Sequence, residues 1–287
     1  MNASLLDGKV VANHILAELK QFVLDLKPGE KPPGLAVILL GNHDASKLYV
    51  QGKRRISAEI GFNSVAYDLP SSLTEEELIS LINRLNETHE VNGILVQLPL
   101  PAHINNQVIL ETIHPTKDVD GFHPYNVGRL VQKKPILRSC TPAGIMNLFH
   151  YYQLPLSGKH AVILGASNIV GRPMALELLM AGCTVTVCHS ASIDINHHVS
   201  DADILVTAMG VRGIVDSSRI KEGAIVVDVA MNRDENGKLC GDLDFNQAAQ
   251  RAAWITPVPG GVGPMTIATL MQNTLRCYQL QQEILPQ

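Results

Sequence analysis

The sequence predicts an α/β protein of two domains that flank a cleft. Strand-like apolar runs alternate with helical patterns through both halves of the chain, which is the arrangement of mostly parallel sheets covered by helices. With 287 residues, 46% of them hydrophobic, the chain is long enough for two cores of ordinary size. The composition turns basic and proline-containing at residues 132–144, and we place the domain boundary there. The predicted domains are residues 1–139, completed by a returning C-terminal helix at 265–287, and residues 140–264.

The first half supplies three strand-like segments, at residues 34–41, 63–70 and 93–101. One helix covers the opening stretch before the first of these strands. A second helix follows Thr74, which forms a T-x-x-E capping box with Glu77.

The second half repeats the alternation. Helices are implied after Val170 and around residues 196–202. From Met265 onward apolar residues recur at helical spacing, so the C-terminal segment is predicted to be a long amphipathic helix that packs on the rest of the protein. The strand-like segments of this half are residues 160–167, 184–190, 203–210 and 224–232.

The composition favours a small-molecule ligand and a reducing compartment. A formal net charge of -4 gives no basic field for nucleic acid. Five cysteines without a C-x-x-C pair fit neither a disulfide scaffold nor a common zinc site. The adjacent His197 and His198 have no carboxylate or cysteine at ligand spacing, so no metal is expected. No secretion signal is visible, and no apolar run approaches the roughly 20 residues that span a membrane. We therefore expect a cytoplasmic protein with neither a nucleic-acid nor a membrane partner.

A strand, a glycine turn and a helix follow one another in VILGASNIVGRPM, residues 162–174. Gly165 permits a sharp turn, and the small Ala166 and Ser167 let backbone N–H groups approach a diphosphate. Gly171 allows close packing of the helix, whose N-terminus adds donors and a partial positive charge. The motif predicts a Rossmann-type NAD(P)-binding domain, although an ordinary strand-to-helix turn has the same pattern.

The next strand lacks the acid that marks an NAD site. NAD-preferring sites usually end their second strand, about 20 residues beyond the loop, with Asp or Glu for the ribose 2'-hydroxyl. Here that strand ends in His189 and Ser190. NADP is therefore favoured over NAD, with Ser190 and Arg172 as candidate contacts of the 2'-phosphate.

A set of polar residues marks a second site in the first half. Tyr49 and Lys53 stand four residues apart and therefore project from one helical face. Gln97 ends a buried strand just before two prolines, where the carboxyl end of a sheet normally faces ligand. Asp118 and Asp120 lie beside a glycine in a predicted loop. Plainer interpretations stay open at this point: a surface lysine, an amide that satisfies backbone groups, and an acid that caps the following turn.

Six segments occur in an order that is very hard to obtain by chance. They are YVQGKRR (49–55), GILVQLPLP (93–101), KDVDGFHPYNVGRL (117–130), CTPAGI (140–145), GASNIVGRPM (165–174) and TPVPGGVGPMT (256–266). Together they resemble the bifunctional methylenetetrahydrofolate dehydrogenase/cyclohydrolase family over nearly the whole chain. The resemblance implies oxidation of 5,10-methylenetetrahydrofolate to the methenyl cation with NADP, then hydrolysis to 10-formyltetrahydrofolate in the same cleft. It also implies a homodimer paired through the nucleotide domain, and a place in one-carbon metabolism and purine biosynthesis.

The same resemblance assigns roles to individual residues. Lys53 is implied to be the main cyclohydrolase residue, with Tyr49 stacking on the substrate and bonding to Lys53, and Gln97 holding the lysine. Asp120, the fourth member of this catalytic set, is implied to accept two hydrogen bonds from the pterin's amino group and ring N–H. The other implied substrate contacts are Ser46, Val96, Leu98, Pro99, Pro259, Gly260 and Gly261, with a cis bond before Pro259. The implied cofactor contacts are Gly165, Ala166, Ser167, Val170, Arg172, Pro173, His189, Ser190, Ala208, Gly210, Met231 and Thr266.

A few positions depart from the family pattern or have a second explanation. Some relatives carry Arg where this chain has Ala166, and others carry Arg where it has Ser190, which bears on the strength of the NADP preference. Met231 stands where the family more often shows Ile, and it still offers an apolar contact to the cofactor. Ser46 is equally well explained as a helix-start hydroxyl, and residues 257–261 as a rigid linker.

Two other classes of protein share part of this residue pattern. A short-chain dehydrogenase also pairs Tyr with Lys four residues later, but it places the pair after its glycine loop, and the order here is reversed. A nucleotide-binding regulatory protein would bind NADP without turnover. That interpretation leaves Lys53, Gln97 and Asp120 unexplained.

Overall fold

A computed structural model gives the structure of residues 3–41 and 44–284, without the side chains of residues 44–46, 48 and 284. Its strands are β1 (Ser4–Leu5), β2 (Gly34–Leu40), β3 (Asn63–Leu69), β4 (Gly93–Val96), β5 (His160–Leu164), β6 (Thr184–Cys188), β7 (Ile204–Thr207), β8 (Ile225–Asp228), β9 (Asn232–Arg233), β10 (Leu239–Cys240) and β11 (Trp254–Ile255). Its α-helices are α1 (Gly8–Leu24), α2 (Asp44–Glu59), α3 (Glu75–Glu87), α4 (Asn106–Thr112), α5 (Pro124–Val131), α6 (Cys140–Tyr151), α7 (Gly171–Met180), α8 (Ile195–Asp201), α9 (Phe245–Arg251) and α10 (Val262–Ile284). Within the described part, none of the helices combines the length and the apolar character that a membrane span needs.

The chain folds into two compact units, each built from two separate stretches of sequence. The three-stranded unit comprises His14–Cys140 and Ile267–Gln287, and the six-stranded unit comprises Met1–Asn13 and Thr141–Thr266. The predicted two-domain α/β class is confirmed. The prediction was wrong for residues 1–13, because β1 pairs in parallel with β11 and Leu6 is buried in the core of the six-stranded unit. A two-residue strand has too little local pattern to reveal a partner so distant in the sequence.

The three-stranded sheet has the order β3-β2-β4, with all strands parallel. Strands β2 and β4 are buried along their whole length, which is why their sequences are continuous apolar runs. Helix α3 packs its apolar stripe on this sheet, and its predicted capping box between Thr74 and Glu77 is present. Because β2 lies between β3 and β4, the strand order reverses at the carboxyl end of β2. In open parallel sheets, ligands bind at such a reversal.

The six-stranded sheet has the order β1-β11-β8-β7-β5-β6, also entirely parallel. Its central strands β7 and β8 are buried at every residue. The chain passes from β5 to β6 on one side and then returns to β7 on the other side of β5. A second reversal therefore lies at the carboxyl end of β5, where residues 165–170 leave the sheet.

Candidate active site

Helix α2 and the end of β4 bring polar side chains to the reversal of the three-stranded sheet. Helix α2 follows β2 and carries Tyr49 and Lys53, while Gln97 is the first residue after β4. The backbone N–H of Gln97 still donates to the carbonyl of Ile38 in β2, at 2.9 Å. The sheet therefore fixes the position from which the Gln97 side chain extends.

Lys53 and Gln97 form a directed pair. The Lys53 Nζ donates to Gln97 Oε1 at 3.0 Å, and the whole lysine residue is only 6% exposed. The Gln97 Nε2 donates to the carbonyl of Leu98 at 2.7 Å, which turns the amide oxygen toward the lysine. Gln97 thus satisfies one backbone group and also orients the amine, whose two remaining donor positions are left for a substrate or water.

Tyr49 lies one helical turn before Lys53 and shares its face. The Lys53 Nζ stands over the Tyr49 ring, 5.9 Å from its centroid, within the range of a cation–π contact. Burial raises the pKa of the Tyr49 hydroxyl, so the phenol stays protonated at neutral pH. The ring offers a flat apolar surface on which a planar ligand can stack.

Asp118 organises the loop that runs beside β4. The Ile94 N–H donates to the carbonyl of Lys117 at 2.8 Å, and a parallel bridge links Ile94 to Asp118. The Asp118 carboxylate accepts hydrogen bonds from the backbone N–H groups of residues 121–123 and from the Asn126 side chain. Burial raises the pKa of the Asp118 carboxyl, and the hydrogen bonds from Asn126, His123 and Phe122 act against that rise. Asp118, and not Asp120, is therefore the acid that caps the turn.

Asp120 differs from Asp118 in having its carboxylate uncommitted. Among the described residues, no hydrogen bond to its side chain is formed. Burial raises the pKa of the Asp120 carboxyl from 3.8 to about 6; the positive Lys53 opposes that rise and the negative Asp118 adds to it. A partly buried carboxylate near an amine, with no donor of its own, is suited to accept hydrogen bonds from a ligand.

The other predicted substrate contacts lie in both units. In the three-stranded unit, Val96 is buried at the end of β4, and the Leu98–Pro99 peptide is cis. In the six-stranded unit, Pro259, Gly260 and Gly261 follow β11, and the predicted cis bond before Pro259 is confirmed. The side chain of Ser46 lies outside the described residues.

The loop after β5 has the geometry that a dinucleotide needs. Gly165 has a φ of 120°, a left-handed conformation that favours glycine. A Cβ on Gly171 would overlap the carbonyl oxygen of Gly165, so the helix can approach the strand this closely only without a side chain. Ser167 Oγ accepts from the N–H of Val170 at 3.2 Å, and Arg172 Nε donates to the carbonyl of Ala166 at 3.1 Å. The N-terminus of α7 is thereby held next to the turn, as phosphate binding requires.

The other predicted cofactor residues follow the carboxyl ends of neighbouring parallel strands. His189 and Ser190 come directly after β6 and are exposed, and His189 Nδ1 accepts from the N–H of Ala191 at 3.2 Å. Asp242 Oδ2 accepts from the N–H groups of Met209 and Gly210, at 2.9 and 3.2 Å, which fixes the segment after β7. The remaining predicted contacts are Pro173, buried in the first turn of α7, Ala208 after β7, Met231, 52% exposed after β8, and Thr266, whose Oγ1 lies 3.0 Å from that of Thr141.

Two family models match the chain. The first, tetrahydrofolate dehydrogenase/cyclohydrolase, catalytic domain, covers residues 6–120. The second, tetrahydrofolate dehydrogenase/cyclohydrolase, NAD(P)-binding domain, covers residues 139–282. The chain belongs to the tetrahydrofolate dehydrogenase/cyclohydrolase family. The predicted family and the predicted enzyme class are confirmed, and the glycine loop after β5 lies within the NAD(P)-binding domain of this dehydrogenase/cyclohydrolase.

Solved structures agree along the whole length of the enzyme. The bifunctional methylenetetrahydrofolate dehydrogenase/cyclohydrolase of Campylobacter jejuni is 48% identical, with 97% of this chain and 99% of that chain covered and a TM-score of 0.94. The enzyme of Trypanosoma brucei, solved with NADP and an inhibitor, is 39% identical over 98% of this chain and 99% of that chain, with a TM-score of 0.93. A 5,10-methylenetetrahydrofolate dehydrogenase of the silkworm, Bombyx mori, is 36% identical over 98% and 99%, with a TM-score of 0.90.

The dehydrogenase/cyclohydrolase performs two consecutive reactions on tetrahydrofolate one-carbon derivatives. It oxidises a methylene bridge with a nicotinamide cofactor, and it hydrolyses the cyclic methenyl product. Both reactions pass through the same cationic carbon, so one arrangement of a held amine, a flat ring and an uncommitted carboxylate can serve both.

Sequence reasoning missed two residues that support these segments. Asp242 holds the loop after β7, and Asn273 on α10 donates to the carbonyl of Val119, beside Asp120, at 2.8 Å. No local motif marks either residue, because their partners lie 33 and 154 residues away. For Asn273 the available signal was a polar residue inside the apolar stripe of the C-terminal helix.

Proposed function

We propose that this enzyme oxidises 5,10-methylenetetrahydrofolate to the 5,10-methenyl form with NADP and then hydrolyses it to 10-formyltetrahydrofolate, with Lys53, Tyr49, Gln97 and Asp120 as its catalytic set. The observation that carries the assignment is the pair of the buried Lys53 and the half-buried Gln97, held at 3.0 Å at the strand-order reversal. Its position agrees with the rule that open α/β sheets bind ligands at such points.

Lys53 acts in the hydrolytic step. The methenyl carbon is an electrophile, and water adds to it with loss of a proton before one carbon–nitrogen bond of the ring breaks. This step requires the amine in its neutral form: one N–H donates to Gln97, and the nitrogen lone pair takes up the proton that the attacking water loses and returns it to the ring nitrogen as the carbon–nitrogen bond breaks. The Tyr49 ring stacks on the folate and keeps the reacting carbon in reach of the amine.

Asp120 binds the pterin. Its carboxylate has no donor among the described residues and can accept two parallel hydrogen bonds from the pterin's amino group and ring N–H. Because its pKa is about 6, the ionised form that accepts both bonds predominates at neutral pH and is lost in mild acid. Val96, Leu98, Pro99 and the segment of Pro259, Gly260 and Gly261 supply apolar and backbone contacts, and Ser46 a further polar contact.

NADP binds along the carboxyl edge of the six-stranded sheet and accepts the hydride from the methylene carbon. The missing Cβ of Gly171 lets the N-terminus of α7 lie against the Gly165 turn, where its N–H groups can bind the diphosphate. No acid follows β6 at His189 or Ser190, so nothing there repels a 2'-phosphate, and Ser190 and Arg172 are its contacts. The NADP complex of the Trypanosoma brucei enzyme supports this choice over NAD.

The enzyme forms a homodimer through its six-stranded unit. Among the described residues, the outer edge of β6 pairs with no other strand, and Leu179 of the preceding helix is 53% exposed. An open strand edge beside an exposed leucine favours pairing with a second copy of the same chain. Light scattering after gel filtration should give twice the chain mass of 31.1 kDa; a monomer at micromolar concentration contradicts the assignment.

The product places the enzyme in cytoplasmic one-carbon metabolism. A 10-formyl group bound to tetrahydrofolate is an activated formyl donor, and purine biosynthesis consumes such donors. The catalytic domain then comprises the three-stranded unit, and the NADP-binding domain the six-stranded unit.

A single spectrophotometric assay tests the function. The purified protein receives 5,10-methylenetetrahydrofolate with NADP or with NAD, and reduced nicotinamide and the methenyl product are followed together. We expect reduced NADP with little methenyl accumulation, and slower reduction of NAD. Absence of turnover with both cofactors contradicts the proposed function and favours a protein that binds NADP without turnover.

A further inference from the structure

The orientation of Asp120 depends on its backbone. Its carboxylate forms no hydrogen bond to the described residues, so no side-chain contact of that kind sets its direction. The segment around it belongs to no helix or named strand. Whatever fixes the peptide groups next to Asp120 therefore fixes the carboxylate.

Asn273 holds the peptide group immediately before Asp120. Its side-chain Nδ2 donates to the carbonyl of Val119 at 2.8 Å and to the carbonyl of Arg138 at 2.8 Å. Both amide hydrogens are thus used, and the residue is only 8% exposed. The Val119 carbonyl belongs to the peptide group that is bonded to the Asp120 Cα, so this contact acts on the backbone directly before Asp120.

The segment 138–140, which Asn273 links to Val119 through the Arg138 carbonyl, also contacts Asp120 directly. The N–H of Cys140 donates to the carbonyl of Asp120 at 3.3 Å, and the Cys140 thiol donates to the carbonyl of Val119 at 3.2 Å. Ser139 Oγ donates to the carbonyl of Gly121 at 3.2 Å. Asn273 therefore ties two adjacent backbone segments, one of which carries the pterin-binding acid.

We propose that Asn273 is a positioning residue for folate binding, which acts by fixing the Val119–Asp120 peptide and with it the Asp120 carboxylate. The inference rests on the proposed role of Asp120 in binding the pterin. It assigns to the C-terminal helix, which is remote in sequence from every predicted substrate contact of the three-stranded unit, an influence on substrate affinity.

A double-mutant cycle tests the inference. Tetrahydrofolate is titrated calorimetrically into the wild type, Asn273→Leu, Asp120→Ala and the double variant. Leucine has the same number and branching of side-chain heavy atoms as asparagine but donates no hydrogen bond. We expect Asn273→Leu to raise the dissociation constant about tenfold, equivalent to about 1.4 kcal/mol, in the wild-type background. In the Asp120→Ala background, Asn273→Leu should raise the dissociation constant by less than about twofold, because Asn273 acts on binding only through the Asp120 carboxylate.

Gln281→Met provides the matched control. Gln281 lies on the same helix and exchanges two hydrogen bonds with Asn92, at 3.0 and 2.8 Å, but it does not contact the Asp120 segment. The Gln281→Met variant should lower thermal stability, as Asn273→Leu does, but leave the dissociation constant for tetrahydrofolate unchanged. All variants should bind NADP with wild-type affinity.

The outcomes separate the two hypotheses. Equal effects of Asn273→Leu in both backgrounds, or no effect in the wild type, overturn the positioning role and leave the proposed function intact. An Asp120→Ala variant that binds tetrahydrofolate like the wild type overturns the role of Asp120 and the inference with it. If Asn273→Leu does not fold, Cys140→Ala removes the other donor to the Val119 carbonyl, and the same cycle should show a twofold to threefold effect that disappears in the Asp120→Ala background.

Discussion

Replacement of Asp120 by asparagine should stabilise the fold while it weakens folate binding. The pKa of the Asp120 carboxyl is raised from 3.8 to about 6, chiefly by burial. The folded protein therefore keeps this proton to a higher pH than the unfolded chain does, and stability is lost as the pH rises through about 6. At pH 7 the ionised carboxylate opposes folding by at most about 3 kcal/mol, and by less after allowance for its partial exposure to solvent.

Asparagine has the same shape and no charge to desolvate. We expect Asp120→Asn to raise the free energy of unfolding by about 1–3 kcal/mol at pH 7, and the gain should fall below about 1 kcal/mol at pH 4. Thermal unfolding of the wild type and the variant, at several pH values between 4 and 8, measures the difference. The dissociation constant for tetrahydrofolate should increase at pH 7, because an amide cannot accept both pterin hydrogen bonds.

Asp118→Asn is the matched control. The Asp118 carboxylate accepts four hydrogen bonds, and an amide nitrogen in its place would face donors. This variant should lose about 1–3 kcal/mol of stability. If Asp120→Asn instead destabilises the protein at pH 7, or if its effect on stability does not change with pH, the argument from burial of an uncommitted carboxylate is refuted.

Three further substitutions test the remaining roles. Lys53→Met should reduce methenyl hydrolysis by about a hundredfold or more with little change in folate affinity, so the methenyl product should accumulate in the coupled assay; unaltered hydrolysis removes Lys53 from the mechanism. Gly171→Ala places a Cβ on the carbonyl of Gly165; it should lower stability by about 1–3 kcal/mol and weaken NADP binding in a fluorescence titration, while folate binding stays at the wild-type level. Ser190→Asp should lower the ratio of NADP to NAD activity by about tenfold or more, because the new charge repels the 2'-phosphate; an unchanged ratio shows that the 2'-phosphate lies elsewhere.

The sequence was informative wherever function depends on neighbouring residues. Tyr49 and Lys53 share a face because they stand four residues apart, and the loop from Gly165 to Gly171 combines a strand, a turn and a helix start within a short segment. In each case the residues that form the structural feature are close together in the sequence, so the sequence pattern alone predicts the feature. The fold class followed from the same kind of pattern, since buried parallel strands are continuous apolar runs.

The sequence was uninformative wherever partners are distant. Asp118 and Asp120 look alike in KDVDG, and only the donors that converge on Asp118 separate the structural acid from the uncommitted one. The pairing of β1 with β11 has no local signal, so residues 1–13 were assigned to the wrong unit. Asn273 appeared as one polar residue in an amphipathic helix, because its two acceptors belong to loops that no periodicity describes.

The discontinuity of both units has a consequence for how the protein is made. Strand β1 cannot pair until β11, 250 positions later, has left the ribosome, and the Asp120 loop stays without its Asn273 contact for longer still. We expect chains stalled before Trp254 to leave both units incomplete and residues 3–6 open to proteases, which pulse proteolysis of stalled nascent chains can measure. Neither unit can therefore be completed while the other is still to be synthesised, as an N-terminal domain usually is, and the two units reach their final form only after β11 and α10 have been synthesised.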